Sequence, residues 1–153
     1  MLEVRFSIFE TNSSSVHALI IPKDNNIHYP EEVTLYGGDY GWSGKETDGL
    51  QYIFQICADR GKYEIENLVD YLESKGIEVV NKEYILGDKF NNSGYVDHGY
   101  ELPLEDLFAD EGLLDRFMFG GGWVDMSNDN VEDEDMIPDP SHYDSELYDV
   151  IIK

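Results

Sequence analysis

The run V-H-A-L-I-I at Val16–Ile21 constrains the fold most. Its near-continuous apolar character reads as a β-strand covered on both faces. His17 shares a face with Leu19 and Ile21, because side chains alternate along a strand. Upstream, Leu2, Val4, Phe6 and Ile8 alternate with Glu3, Arg5 and Ser7, the period-2 pattern of a half-buried strand. The connection between the two is F-E-T-N-S-S-S-V-H, with five consecutive small polar residues from Thr11 to Ser15. A hairpin needs only a turn, so this supply of hydroxyl and amide groups is a candidate for chemistry. Glu10 and His17 flank it and are able to titrate or bind metal.

The remaining pattern predicts an α+β domain. Glu32–Tyr36 reads as a short third strand, and the glycine-rich stretch 37–49 as a long loop. A first helix starts near Asp48 as N-cap, buries Tyr52, Ile53, Ile56 and Cys57, and stops at Gly61. A second runs over 62–75, with Ile65, Leu68, Val69 and Leu72 on one face and Gly76 as its stop. I-E-V-V at 77–80 reads as a strand, and 83–86 as another. Helical segments are expected at 103–108 and 112–119, an edge strand at 123–126, and an acidic extended segment over 128–140. Residues 145–151 read as a terminal strand or helical turn. Together they predict one domain over 1–153, with a mixed or antiparallel sheet fed by 2–36 and 77–86 and helices packed on it.

Charge narrows the function classes. The 153 residues carry 33 acids against 10 bases, a net charge of -23. Such a surface repels phosphates, which argues against direct binding to nucleic acid or an anionic membrane. It attracts basic partners, including a protein groove built to hold nucleic acid. The plainer alternative is solubility, or adaptation to high salt. Residues 101–153 hold 16 acids and 2 bases, whereas residues 1–100 hold 17 acids and 8 bases. A carboxylate face is therefore expected in the C-terminal third, and it disfavours homodimerisation through that face. A single cysteine, Cys57, excludes an internal disulfide and reads as a buried structural thiol. No apolar run reaches membrane-spanning length and the N-terminus lacks the features of a signal peptide, so a cytoplasmic protein is expected.

Three polar groupings are candidates for a site. The first is Glu10, Asn12, Ser13, Ser14 and Ser15 with His17, able to hold phosphate through hydroxyls and backbone N–H groups or to form a Ser–His pair. It has neither the glycines of a P-loop nor a G-x-S-x-G elbow, and its plain reading is a loop satisfying its own backbone. The second is Asp97-His98, suited to acid–base work or a divalent metal, or else an exposed loop pair. The third is Asn128-Asp129-Asn130, where D-x-D-like spacing is able to bind Ca²⁺ or Mg²⁺. Behind it, Glu132, Asp133, Glu134 and Asp135 read as a solvated acidic run and a candidate binding face. No EF-hand register fits there.

The opening F-E-T-N-S-S-S-V-H resembles that of a group of small proteins of Gram-positive bacteria and their phages. These begin with a strand followed by F-E-T-N-S-S-S-T-H-S. G-Y-V-D-H around Asp97 and His98, and N-D-N at Asn128–Asn130, are similar to later landmarks of that group. The resemblance implies one shared site made of the three polar loops, and a phage or mobile-element setting. It implies no reaction. The chain departs from the pattern at Val16 and Ala18, where the group has Thr and Ser, and so lacks two of its hydroxyls.

Two functional expectations follow. One is a phage-type acidic binding protein that occludes a basic, nucleic-acid-binding surface of a host protein, as a DNA mimic or anti-defence inhibitor. Glu10, Asn12, Ser13–Ser15 and Glu132–Asp135 are its candidate contacts. The other is a small metal- or phosphate-dependent hydrolase. In that reading His17 or His98 is the acid–base group, Asp97 and Asp129 are ligands to a divalent metal, and Ser13–Ser15 contact phosphate.

Overall fold

In a computed structural model, the structure describes residues 15–40, 46–96, 102–128 and 143–152. The architecture is α+β. Among the described residues its main sheet has four strands: β1 (Ser15–Pro22), β4 (Glu46–Asp48), β7 (Trp123–Asn128) and β8 (Tyr148–Ile152). Their order is β4-β7-β1-β8, and every pairing is antiparallel. β1 is an inner strand covered on both faces, as its composition predicts. Leu19 and Ile21 face a core built with the helices, while Ala18 and Ile20 face a second cluster with Val150, Trp123, Tyr143 and Tyr148.

α1 (Gly49–Arg60) is the central helix. Every residue from Gly49 to Ala58 is buried, so it sits inside the molecule rather than on one face. Asp48 caps it through Oδ1, which accepts from Gln51 N–H at 2.9 Å. A Cβ at Gly49 would come within 2.4 Å of Phe117 O, and this absence of a side chain lets α1 close on α5 (Glu111–Phe119). α2 (Lys62–Ser74) ends in a left-handed glycine, Gly76 at φ 80°. Gly76 N–H donates to Glu73 O and Ile77 N–H to Leu72 O, which satisfies the last carbonyls of the helix. α4 (Leu104–Ala109) precedes α5, whose cap is Asp110 Oδ1 accepting from Leu113 N–H.

Several expected elements change on folding. Residues 37–49 are not one loop: β3 (Asp39–Tyr40) and β4 lie within them, and β4 pairs with β7 in the main sheet. Residues 82–85 form a helical turn, α3 (Lys82–Ile85), not a strand. The 77–86 region does not feed the main sheet, since β5 (Glu78–Val79) pairs in parallel only with β2 (Glu32–Val33). β3 pairs in parallel with β6 (Tyr95–Val96). β7 is an inner strand rather than an edge, and among the described residues β4 and β8 are the outermost strands. The strand expected at 2–9 lies outside the described residues. No helix among the described residues is long and apolar enough to cross a membrane.

Candidate functional site

Two glutamines on α1 organise the polar segments around it. Gln51 Oε1 accepts from Tyr36 N–H and Gly37 N–H at 2.9 and 3.1 Å, and its Nε2 donates to Thr34 O. One turn later, Gln55 Oε1 accepts from Gly38 N–H at 3.0 Å. Gln55 Nε2 donates to Asp59 Oδ1 and Asn92 Oδ1, at 2.9 and 2.7 Å. Asn92 Nδ2 also donates to Asp59 Oδ1, and Asp59 Oδ2 accepts from Val96 N–H at 2.8 Å. Both glutamines are buried, while Asp59 and Asn92 at the outer end of the network are exposed, so it runs from the core to the surface. A Cβ on Gly94 would lie 2.6 Å from the backbone oxygen of Gly38 as well as 2.3 Å from Gln55 Oε1, which leaves glycine as the residue that fits the seat. The network fixes the β3–β6 ladder, whose last residue, Val96, precedes the Asp97-His98 pair.

His17 is 2% exposed. Its Nδ1 and the hydroxyl of Tyr52 share a hydrogen bond of 2.7 Å, and the two rings meet edge to face at 5.7 Å. The Tyr40 ring lies tilted against Tyr52, with centroids 6.1 Å apart. Burial pushes the Tyr52 hydroxyl far above the ordinary tyrosine range and raises that of Tyr40. In this arrangement the imidazole points into the α1 side of the sheet. A general acid or base must reach the proton it transfers, and a histidine facing the core does so only if that packing opens.

Strand register brings two of the sequence candidates to one place. Ser15, the end of the serine run, is the Cα partner of Asn128, the start of N-D-N. His17 lies two residues along, opposite Met126. The other candidates, Glu10, Asn12, Ser13, Ser14, Asp97, His98, Asp129 and Glu132–Asp135, lie outside the described residues. Among the described residues, no group of three or more His, Cys, Asp or Glu side chains is placed to hold a metal ion. Cys57 is buried, and burial pushes its thiol far above the ordinary range, which fits a structural role.

A polar cluster not signalled by spacing lies between α2 and α5. Asp115 is 4% exposed. Its carboxylate accepts from Tyr29 OH at 2.5 Å and from Tyr71 OH, and pairs with Lys75 Nζ at 3.2 Å. The hydrogen bond to Asp115 raises Tyr29 and Lys75, while desolvation and then Asp115 raise Tyr71 far above its ordinary range. The buried charge is thus paired and saturated.

The exterior is the other candidate. Glu66, Asp70 and Glu73 are exposed along α2, and Glu32 faces Glu78 directly across the β2–β5 ladder. Several cations are meanwhile paired with acids, Arg116 half-buried and Lys23 and Lys82 at the surface. Lys23 and Arg116 both pair with Asp149, at 3.9 and 3.4 Å, and Lys82 pairs with Glu73 at 2.6 Å. Arg60 donates to Leu102 O. No protein-family profile matches the chain, and no curated protein or solved structure matches it either.

Proposed function

We propose that the chain is a phage-type acidic binding protein that occupies a basic, nucleic-acid-binding surface of a host-cell protein, in the cytoplasm. The observation that carries this reading is a net charge of -23 on a domain with an extensive apolar core. Lys75 and Arg116, which would otherwise offset the exterior, are largely covered and engaged with Asp115 and Asp149. Carboxylates then stand where phosphates of DNA or RNA would lie, and the mechanism is competitive occlusion. Association of this kind is electrostatically steered, fast, and weakened by salt.

The test is capture from host lysate at low and high salt. The bait is the wild-type chain, or a variant with Glu132, Asp133, Glu134 and Asp135 changed to Gln or Asn. A nucleic-acid-binding protein held at low salt, released at high salt and lost with the variant supports the reading. No salt-sensitive partner overturns it.

A second reading, the metal- or phosphate-dependent hydrolase, draws on the Ser15–Asn128 register. Asp97 and Asp129 would hold the metal, and His98 is the better acid–base candidate because His17 is turned inward. Nucleotide turnover that requires a divalent metal and is abolished by His98→Ala would support it. Turnover unchanged by that substitution would count against it.

A further inference from the structure

We infer that the cleft between α2 and α4 seats an arginine-bearing segment of the basic partner. The inference rests on the binding reading above and gives it a location. α2 contributes Tyr63 and Glu64 and, two turns later, Asp70 and Tyr71, while α4 contributes Glu105 and Phe108. These side chains line an open cleft of about 540 Å³. Three carboxylates and three aromatic rings therefore converge on one groove.

The walls of the groove are prepared in advance. Tyr71 is pinned by its hydrogen bond to buried Asp115, and its ring meets Phe108 edge to face at 5.7 Å. Lys75 Nζ lies 5.3 Å from the centroid of the buried Tyr71 ring, so that ring already holds a cation of the fold and Tyr63 is the ring open to the guanidinium. Tyr63 is 72% exposed and projects from the first turn of α2. A guanidinium is planar, lies flat on an aromatic face, and gives a carboxylate two parallel hydrogen bonds. Charge complementarity selects this occupant. A phosphate-bearing ligand would meet Glu64, Asp70 and Glu105, and a second copy of the chain would bring acid against acid.

The experiment uses a fluorescein-labelled nona-arginine peptide, titrated by anisotropy at low salt against the full chain. Tyr63→Ala removes a ring without changing charge and is expected to weaken binding about five-fold. Glu105→Gln is expected to weaken it to a similar degree. Tyr63→Phe, which keeps the ring, should bind as wild type does. Glu78→Gln removes one exposed carboxylate outside the cleft and should have a smaller effect than Glu105→Gln. Amide shifts in nitrogen-15 spectra should concentrate in α2 and α4.

Equal losses for Glu105→Gln and Glu78→Gln, with Tyr63→Ala unchanged, would overturn the cleft and leave the acidic-binder reading standing. No binding of the peptide at low salt would overturn both. A dimer in sedimentation that Tyr63→Ala dissolves would assign the cleft to a second copy instead.

Discussion

Replacing Gln55 by Ala removes the acceptor of Gly38 N–H and the donor to Asp59 and Asn92. The expected cost is about 1–1.5 kcal/mol, the net worth of hydrogen bonds whose half-buried and exposed partners water is able to reach. Chemical denaturation measures it, and a loss below about 0.5 kcal/mol would mean that the network is not holding the β3–β6 ladder. Asp115 is the other residue on which several elements depend. Asp115→Ala leaves Tyr71, Tyr29 and Lys75 without their shared acceptor, and is expected to cost about 3 kcal/mol. The same cluster sets an alkaline limit. Tyr71 and Lys75 hold their protons more tightly folded than unfolded, so their contribution is intact below the ordinary values of 10.0 and 10.5. It is lost as pH rises beyond those values, because the unfolded chain releases these protons first. Unfolding free energy should fall steeply above about pH 10, and less steeply in Tyr71→Phe. Neither Gln55 nor Asp115 announced itself in the sequence. Gln51 and Gln55, spaced i, i+4 in an otherwise apolar run, were the available signal for the first. Asp115 sits in an ordinary helical pattern, and its partners lie 40 or more residues away.

Local signals account for the elements that the sequence foretold. α1 begins at the Asp48 cap and ends at Gly61, and α2 stops at Gly76, because caps and left-handed glycines act within a few residues. Asp48→Ala should cost about 1 kcal/mol by thermal unfolding, and a null effect would show that the cap is dispensable. β1 was legible for the same reason, its apolar run being a property of six adjacent residues. β3, β4 and β6 were not, since each has only two or three residues and exists through a partner supplied by tertiary packing. The strand expected at 83–86 yields to a helical turn at 82–85, shortly after β5. The β2–β5 ladder sets Glu32 against Glu78, a like-charge pair that disfavours the pairing. Glu78→Lys should therefore stabilise the protein by roughly 0.5 kcal/mol at low salt, with the gain fading as salt rises. A destabilised Glu78→Lys would contradict this account of the ladder.

The whole molecule joins a closed apolar core to an exterior dominated by carboxylates, and the charge excess was legible from composition alone. How the cations are spent was not, because Lys75, Lys82 and Arg116 find their acidic partners only on folding. Of the three polar loops singled out in the sequence, the register joins Ser15 to Asn128, while His17 turns inward to Tyr52. The most direct measurement is competition on the captured host protein. Labelled duplex DNA or RNA is bound to it, and the unlabelled chain is added at low salt. The account predicts full displacement with mutually exclusive binding, and a displacement constant that rises with salt. A ternary complex, in which nucleic acid and the chain are held together, would contradict it.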